Sequence, residues 1–597
     1  MAEAAGPVPR GARRRLAFAS AGVLLGAADT YVVVIVLPAI MTSVGVDLAH
    51  LQEATPIISG FLLGYVAVLP LLGRLSDLYG RAPVLTVCLI VFAGGSLLTA
   101  SSTTLWAVVV GRTLQGVGGG GLVPVTLALV ADLWPAHRRG VPLGIVGGVQ
   151  EFGSVIGPLY GAALSAASTW RAIFYVNMPL AAAIGTGLHA RRRTDAAAPP
   201  LRPDRPGQAL AAICVIATVL AVAAPPALAD SVTAGVAFVP VLAGAAITAP
   251  MTAVALLSAL FLVVRELTLA TTVRPLIPLR GLPRGLRRVD WVGGLLVALV
   301  LGCIVVSFAT ADPQHGVVGS AAPELLPAGA ILAALFVLRE RHVAEPMVDL
   351  HALRDPAAVG SLAVNLAVGA ALMAALVDIP VFARTTVDAD SQVGAALVLA
   401  RLLVAVPVGA VLGGLLVGRL GYRSVAGAGM ILSALMFTAM AGWTATALED
   451  PLAGLGWLHL TDLVLVGCGL GFGLSIVPVT AAMLGAVPQR HHGVAASLTV
   501  AARMVGMLTG LSLLTAIGLR RFYSVQAMLP DPASLCPHTP LNCPAYNTLA
   551  TGAILDELHV IFLGAAVCAA IAAAVAVAAL RRRGEIDGRR LLEVGVA

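Results

Sequence analysis

Residues 147–164 read GGVQEFGSVIGPLYGAAL and lie within an apolar run that is long enough to cross a bilayer as one helix. The run contains a carboxylate, Glu151, about 15 Å along the helix axis from the first turn near Val141. An ionisable side chain near the middle of a membrane is costly, so it predicts a functional site. Glycines recur at every fourth residue on one helix face, where a neighbouring helix can approach closely, and Pro158 allows a bend. These glycines are Gly153, Gly157 and Gly161.

The whole chain has the composition of a multi-span helical membrane protein. Its 597 residues are 59% hydrophobic and only 11% charged, with a mean hydropathy of +0.95. Apolar runs of about eighteen residues or more recur along it. The net charge of +7 comes from arginines in the short connections between runs, where they set orientation and do not indicate nucleic-acid binding. The first run, 16–38, is too long for the core of a cleaved signal peptide.

The arginine distribution predicts a plasma-membrane protein with both termini in the cytoplasm. We expect an all-α integral membrane fold of two six-helix bundles with a linker helix pair, which makes 14 core spans, plus an inserted hairpin. Two bundles around a middle section are typical of a pseudo-symmetric transporter. The predicted units are a basic arm at 1–15, the N-terminal bundle at 16–190, the inserted segment at 191–288, the linker pair at 289–338, a cytoplasmic loop at 339–358, the C-terminal bundle at 359–580 and a tail at 581–597.

The inserted segment leaves two structural alternatives open. Its apolar runs at about 208–229 and 234–264 predict either two full membrane spans or one long re-entrant or interfacial segment. Several prolines make the boundaries of these runs uncertain. Because the segment starts and ends with cytoplasmic arginines, it leaves the orientation of the later helices unchanged.

The connection after the second run, residues 73–83, reads GRLSDLYGRAP. Gly73 permits a close helix contact, and Asp77 is able to accept hydrogen bonds from arginine or from a helix N-terminus in the other half. With Gly80 and Arg81, this pattern resembles the signature loop of the major facilitator superfamily. The resemblance implies a major facilitator fold, in which these four residues form a conformational latch. A weaker copy at 414–423 has glycine at the acidic position, so the second half lacks the latch charge.

Further motifs resemble the fourteen-helix drug:proton antiporter family. They are Arg112-Thr-Leu-Gln-Gly in the fourth run, the Gly-x-x-x-Gly-Pro pattern ending at Pro158, and WRAIFYVNMP at 170–179. The first run carries LGAADTYVVV at 25–34, which, together with Gln150-Glu151-Phe152, resembles the mycobacterial triacylglyceride and lipid exporters. That resemblance implies lipid export beside a periplasmic lipid-carrying lipoprotein. The inserted segment departs from that pattern.

The charges inside the membrane point to proton coupling. Asp29 lies about 20 Å along the first helix, near the midplane, and Glu151 is similarly deep. A carboxylate that gains and loses an arginine partner between two conformations binds a proton in one and releases it in the other. Arg112, Arg401 and Arg503 are the candidate cavity cations. A static buried ion pair is the alternative for each of these charges.

One long loop, 521–555, is predicted to be extracytoplasmic. It contains Cys536 and Cys543, which in an oxidising compartment are candidates for a disulfide. Only His538 lies nearby as a further metal ligand, so we expect no metal site. The loop is either a docking surface for a periplasmic partner or a solvated linker.

Taken together, the sequence predicts a secondary transporter that is not an enzyme and needs no cofactor. No Gly-rich Lys-Ser/Thr phosphate loop is present in the sequence, which argues against a pump with its own nucleotidase. We expect proton-coupled export of an apolar or amphipathic molecule, with a triacylglyceride-like lipid first and multidrug efflux as the alternative. A membrane sensor or scaffold without transport is the third possibility.

Overall fold

A computed structural model describes most of the chain, and the described parts are almost entirely helical, which confirms the all-α prediction. The basic arm up to residue 10, the arginines at 191–193, His137, His538 and the tail at 581–597 lie outside the described residues. The described residues are 11–46, 51–135, 138–189, 202–223, 231, 233, 235–239, 250–268, 273–274, 290–310, 317–343, 346–348, 354–386, 392–449, 451–452, 455–536 and 543–580.

The N-terminal bundle contains six helices. They are α1 Ala12–Ser43, α2 Leu51–Tyr79, α3 Arg81–Ser101, α4 Leu105–Leu133, α5 Gly140–Ala167 and α6 Trp170–His189. Helix α4 packs against α2 and α3, α3 also packs against α6, and α5 packs against α1. This arrangement brings α1, α3, α4 and α6 together around one polar cluster.

The inserted segment forms a helical hairpin in its described part. Helices α7 Arg205–Ala223 and α8 Pro250–Thr268 pack against each other, and a 3-10 turn, Gly235–Phe238, lies between them in sequence. Strands β1 Arg202–Pro203 and β2 Val273–Arg274 pair in parallel at its base. There, the Arg265 guanidinium hydrogen-bonds Asp204, with a closest distance of 2.6 Å, and holds the pKa of that carboxyl below its usual range. The two helices begin and end at different residues from the apolar runs that predicted them.

The linker pair consists of α9 Trp291–Ala309 and α10 Ala322–Glu340. Asp290 caps α9 by accepting from the Gly293 N–H at 2.9 Å, and it also pairs with Arg339 at 2.8 Å, which ties the two helix ends together. Helix α9 packs against α2 of the first bundle and against α14 of the second, so the linker pair lies along the seam between the bundles.

The C-terminal bundle repeats the helical pattern. Its helices are α11 Pro356–Thr386, α12 Gln392–Met440, α13 Leu460–Ala486, α14 His492–Gln526, the short α15 Pro532–Leu535 and α16 Pro544–Ala579. Two short antiparallel strands, β3 Pro451–Leu452 and β4 Leu455–His459, precede α13. Because α14 continues to Gln526 and α16 starts at Pro544, the predicted long loop at 521–555 is largely helical at both ends.

Helix α12 is one helical run that is interrupted at Gly421. Gly421 has φ 81° and ψ 166°, and Gly80, between α2 and α3, has φ 87° and ψ 157°. This left-handed backbone is strained for any residue with a Cβ atom. The weaker copy of the signature loop therefore makes the same turn as the first, although its acidic residue is missing.

Ten helical segments of the described residues are long and apolar enough to cross a membrane, by length and composition. Their number and their packing agree with a multi-pass membrane protein. They are Pro56–Tyr79, Arg81–Ser101, Leu105–Leu133, Trp291–Phe308, Ala322–Glu340, Pro356–Thr386, Gly394–Met440, Leu460–Ala486, Gln489–Gln526 and Pro544–Ala579.

Candidate functional site

Asp29 lies at the centre of a polar cluster inside the N-terminal bundle. Its carboxylate accepts from Arg112 Nη1 at 2.6 Å and from Asn177 Nδ2 at 2.7 Å. Gln115 Nε2 donates to both carboxylate oxygens at 3.2 Å. The Ser96 hydroxyl accepts from both amide side chains, at 2.8 Å and 3.3 Å, and so ties α3 to the cluster. Every hydrogen-bond partner of this carboxylate therefore comes from the same half of the protein.

Arg112 is fixed as tightly as its partner. The side chains of Asp29 and Arg112 are each only 1% exposed. The Arg112 guanidinium also lies over the ring of Phe61, 4.3 Å from its centroid, where the face of the ring favours a cation. A buried ion pair of this kind needs both charges, because removing one leaves the other without compensation in an apolar interior.

Glu151 has a different kind of partner. Arg503, on α14 of the C-terminal bundle, approaches Glu151 Oε1 at 3.4 Å through Nη1, and the two side chains are 10% and 6% exposed. A single long hydrogen bond thus joins the two halves at this level. The structure brings together the two residues that the sequence offered as a proton site and a cavity cation.

A cavity lies beside this ion pair and is shared by both halves. Its polar lining includes Glu151, Arg503, Gln150, Tyr65 and Thr30. A second, smaller cavity also borders Gln150 and Arg503. The apolar lining of the first cavity comes from Val23, Phe61, Leu62, Leu122, Val123, Leu372, Met504 and Met507. Asp29 does not line either cavity.

The glycine stripe of α5 determines how closely α1 and α5 approach. A Cβ atom on Gly157 would lie 2.4 Å from the Ala28 carbonyl oxygen, and one on Gly161 would lie 2.3 Å from a Val32 methyl group. Gly153 similarly faces Ala27, at 2.8 Å. The stripe therefore packs against α1, and Pro158 lies within the helix beside it. Glu151 is held at the opposite edge, where it reaches the cavity and Arg503.

The signature loop contacts the start of α14 across the two halves. Asp77 accepts from the backbone N–H groups of Gly493 at 2.8 Å and of Val494 at 3.1 Å, both in the first turn of the helix, where no intrahelical acceptor exists. Arg81 donates to Asp77 at 2.5 Å and to Asp132, at the end of α4, at 2.8 Å. The carboxylate and the positive end of the helix are thus complementary.

Glycines also let the two halves approach closely near the signature loop and near its weaker copy. A Cβ atom on Gly73 would lie 2.5 Å from the Gly493 carbonyl oxygen. Where α12 meets α5, a Cβ atom on Gly414 would lie 2.3 Å from the Gly140 carbonyl oxygen. At the acidic position of the weaker copy, Gly418 has nothing within 4 Å of its would-be Cβ atom. The contact between α2 and α14 is therefore made by glycines and the Asp77 carboxylate, whereas the contact between α5 and α12 is made by glycines.

Arg401 lies elsewhere. It pairs with Asp462, which also accepts from the His459 N–H at 3.0 Å and so caps α13. The side chain of Arg401 is 39% exposed and lines neither cavity. The structure therefore does not bring Arg401 to Asp29 or Glu151. It places this arginine, which belongs to α12, beside the start of α13.

Cys536 and Cys543 form a disulfide, and the described residues contain no group of three His, Cys, Asp or Glu side chains able to hold a metal ion. The bond links the segment after α15 to the start of α16.

Sequence reasoning missed two residues of the contact between the halves. Asp132 follows an apolar run as an ordinary terminal carboxylate, and only the packing of α3 beside α4 shows that it shares Arg81 with Asp77. His492 follows Arg490 and His491 in a short polar stretch of the sequence, and the structure buries it beside Asp132. The only available signal was the position of each charge at the end of a span.

The comparisons with known proteins agree with this architecture. A family model described as the Major Facilitator Superfamily matches residues 19–511. A triacylglyceride transporter of Mycobacteroides abscessus is 36% identical over 509 residues, which cover 84% of this chain and 82% of that protein. A triacylglyceride transporter of Mycolicibacterium smegmatis is 35% identical over 562 residues, which cover 93% and 85%. Among solved structures, a proton:xylose symporter is similar with a TM-score of 0.51 at 14% identity, covering 92% of this chain and 95% of that one, which shows the fold alone.

Proposed function

This chain belongs to the major facilitator superfamily, and we propose that it is a proton-coupled exporter of a triacylglyceride-like lipid across the plasma membrane. At the coarser level, it is a multi-pass membrane transporter and not an enzyme. The proposal adds the direction of transport, the coupling ion and the class of substrate, and it takes both termini to be cytoplasmic from the distribution of arginines.

The observation that supports proton coupling is the Glu151–Arg503 pair. It joins the two halves beside the cavity, at a single distance of 3.4 Å. In the proposed cycle, a proton from the outside binds a Glu151 carboxylate oxygen and removes its attraction to Arg503. The halves then separate at this level and open the cavity to the cytoplasm, where Glu151 releases the proton before the pair re-forms. A carboxylate whose cationic partner comes and goes meets the requirement for such coupling.

Asp29 has a different proposed part. Three side chains make four hydrogen bonds to its carboxylate, and in this conformation it is separated from both cavities. It holds Arg112, and through Gln115 and Asn177 it fixes the shape of the N-terminal bundle. Its predicted place in the proton path needs a second conformation in which Asn177 or Gln115 gives up its bond.

The lipid proposal is supported by the relatives and by the cavity lining. The similar proteins of Mycobacteroides abscessus and Mycolicibacterium smegmatis are triacylglyceride transporters. The cavity presents aliphatic, aromatic and methionine side chains with one ion pair, which suits a molecule with long apolar chains and a small polar centre. A periplasmic lipid-carrying partner at the disulfide-bonded loop stays a prediction of the resemblance.

Transport by purified protein in proteoliposomes with an imposed pH gradient tests this function. A fluorescent acylglycerol and a cationic dye are offered side by side to wild type, to Glu151→Gln and to Glu324→Gln, whose carboxylate is exposed on α10. We expect gradient-driven movement of the acylglycerol in wild type and Glu324→Gln, and none in Glu151→Gln. Movement of the dye alone would assign the protein to multidrug efflux, and movement of neither would leave the sensor or scaffold alternative.

A further inference from the structure

A buried histidine of the C-terminal half, His492, lies inside a charged cluster of the N-terminal half. It is the first residue of α14 and directly precedes Gly493 and Val494, whose N–H groups donate hydrogen bonds to Asp77. Its side chain is 4% exposed, and Nδ1 lies 3.9 Å from Asp132 Oδ1, which is beyond hydrogen-bond distance. Nδ1 has no hydrogen-bond partner among the described residues, while the backbone of Leu484 near the ring favours its protonated form.

The carboxylate beside this ring, Asp132, is already engaged. Asp132 accepts from Arg81 Nε at 2.8 Å and from Arg81 Nη2 at 3.5 Å. Arg139 is held at the end of α4 by the carbonyl groups of Trp134 and Ala131, at 2.8 Å and 2.6 Å. The charged or titratable side chains on the elements around the start of α14 are Arg74 and Asp77 on α2, Arg81 on α3, Asp132 on α4, Arg139 before α5, Glu340 on α10, and Arg490 and His491 in the preceding turn.

A proton on His492 is therefore unfavourable while the halves are in contact. The ring is buried, so its positive charge would lose solvation. The guanidinium groups of Arg81 and Arg139 repel a third cation, and the single carboxylate of Asp132 is shared with Arg81. The ring also lies at the positive end of the α14 dipole, which disfavours a cation. Arg81, Asp132 and Arg139 all belong to the N-terminal half, so separation of the halves would return the ring to water.

We propose that His492 is a cytoplasmic pH sensor on the latch between Asp77 and α14. Acidification of the cytoplasm protonates the ring and favours the conformation in which the start of α14 has left Asp77. The inference rests on the proposed latch and its cytoplasmic location, and it does not depend on the substrate or on the coupling ion.

Hydrogen exchange of the full chain in lipid nanodiscs tests this sensor directly. The Gly493 and Val494 amides have no acceptor within their helix, so Asp77 is the source of their protection in the latched state. Protection factors of the peptide covering 490–497 are compared at about pH 7.5 and about pH 5.5, on either side of the ordinary histidine pKa. We expect protection in wild type to fall on acidification, by up to about tenfold per pH unit, which is the limit for one proton bound only in the open state.

Matched variants separate the sensor from the latch. His492→Gln should remove the acid-induced loss of protection, while His342→Gln, which changes an exposed histidine on the same side, should keep it. Unchanged or increased protection of wild type on acidification would overturn the proposal, as would the same loss in His492→Gln. Asp77→Asn should lower protection at both pH values; if it does not, the latch itself is wrong. If His492→Gln does not fold, His492→Asn and the wild-type comparison still decide the question.

Discussion

Two buried ion pairs, Asp29–Arg112 and Glu151–Arg503, lie in the same membrane protein and differ in what they join. The first connects α1 to α4 within one half, with side chains that are each 1% exposed and a closest distance of 2.6 Å. The second connects α5 to α14 across the two halves, with one bond of 3.4 Å beside a cavity. A pair within a rigid bundle keeps its geometry when the bundles rock, whereas a pair between bundles changes with every rocking motion.

This difference indicates which of the two carboxylates is suited to proton coupling. Two carboxylates at similar predicted depth looked equivalent in the sequence, yet of the two only Glu151 pairs with an arginine of the other half. Contacts within a half should therefore matter mainly for folding stability, and contacts between halves should matter mainly for the equilibrium between conformations. Each prediction below tests this separation.

The largest expected effect on stability is at Asp29. Asp29→Asn leaves the Arg112 charge buried without a carboxylate, which we expect to cost about 3–5 kcal/mol of folding free energy. Thermal unfolding of the purified protein in detergent measures this cost. The double variant Asp29→Asn with Arg112→Gln removes both charges and should recover part of the loss. Equal stability of Asp29→Asn and wild type would contradict a structural role for the pair.

The glycines give a matched pair of steric tests. Gly157→Ala places a methyl group against the Ala28 carbonyl within one half, so it should lower thermal stability by about 1–3 kcal/mol. Gly73→Ala places one against Gly493 between the halves, so it should mainly weaken the latch, seen as faster hydrogen exchange at 490–497. Gly418→Ala has open space and is the control for both. The result would contradict this comparison if Gly73→Ala lowered thermal stability as much as Gly157→Ala and left that exchange unchanged.

A smaller effect on stability is expected at Glu151. Glu151→Gln should cost about 1–2 kcal/mol, less than Asp29→Asn, because one long bond is lost and the neighbouring cavity can admit water to Arg503. The same thermal unfolding experiment measures it. A loss as large as that of Asp29→Asn would mean that the two pairs serve the same structural purpose.

The smallest effect is expected at the disulfide, which lies in one half and far from both pairs in sequence. Cys536 and Cys543 should resist alkylation until they are reduced, as followed by mass spectrometry of the intact protein. Because the closed loop is short, reduction should cost about 2 kcal/mol or less and leave coupled transport intact. Immediate labelling of both thiols would show that the bond does not form, and loss of coupling on reduction would place the loop in the mechanism.

Much of this architecture was predictable from the sequence because hydrophobic length, glycine spacing and arginine position are local signals. The stripe ending at Gly161 needed only helical geometry to be assigned to one face. The partner of each carboxylate was not predictable, because Arg112, Arg401 and Arg503 are equivalent as arginines in apolar runs. Only the tertiary packing determines that Arg401 pairs with Asp462 and that Arg503 pairs with Glu151.

The turn at Gly421 had a signal in the sequence, because it falls in the weaker copy of the signature loop, between Arg419 and Arg423. The cluster around His492 had no such signal. The cluster that buries His492 depends on α3, α4 and α14 meeting at one end, although their residues are far apart in the chain.

If Glu151 carries the coupled proton, movement of the substrate must drive protons through the wild-type protein. Proteoliposomes with a pH-sensitive dye inside are given a gradient of a short-chain acylglycerol and no imposed pH gradient. We predict that wild type and Glu324→Gln change the internal pH, and that Glu151→Gln, purified and folded with Arg503 intact, does not. A pH change in Glu151→Gln as fast as in wild type would remove Glu151 from the proton path and contradict the account.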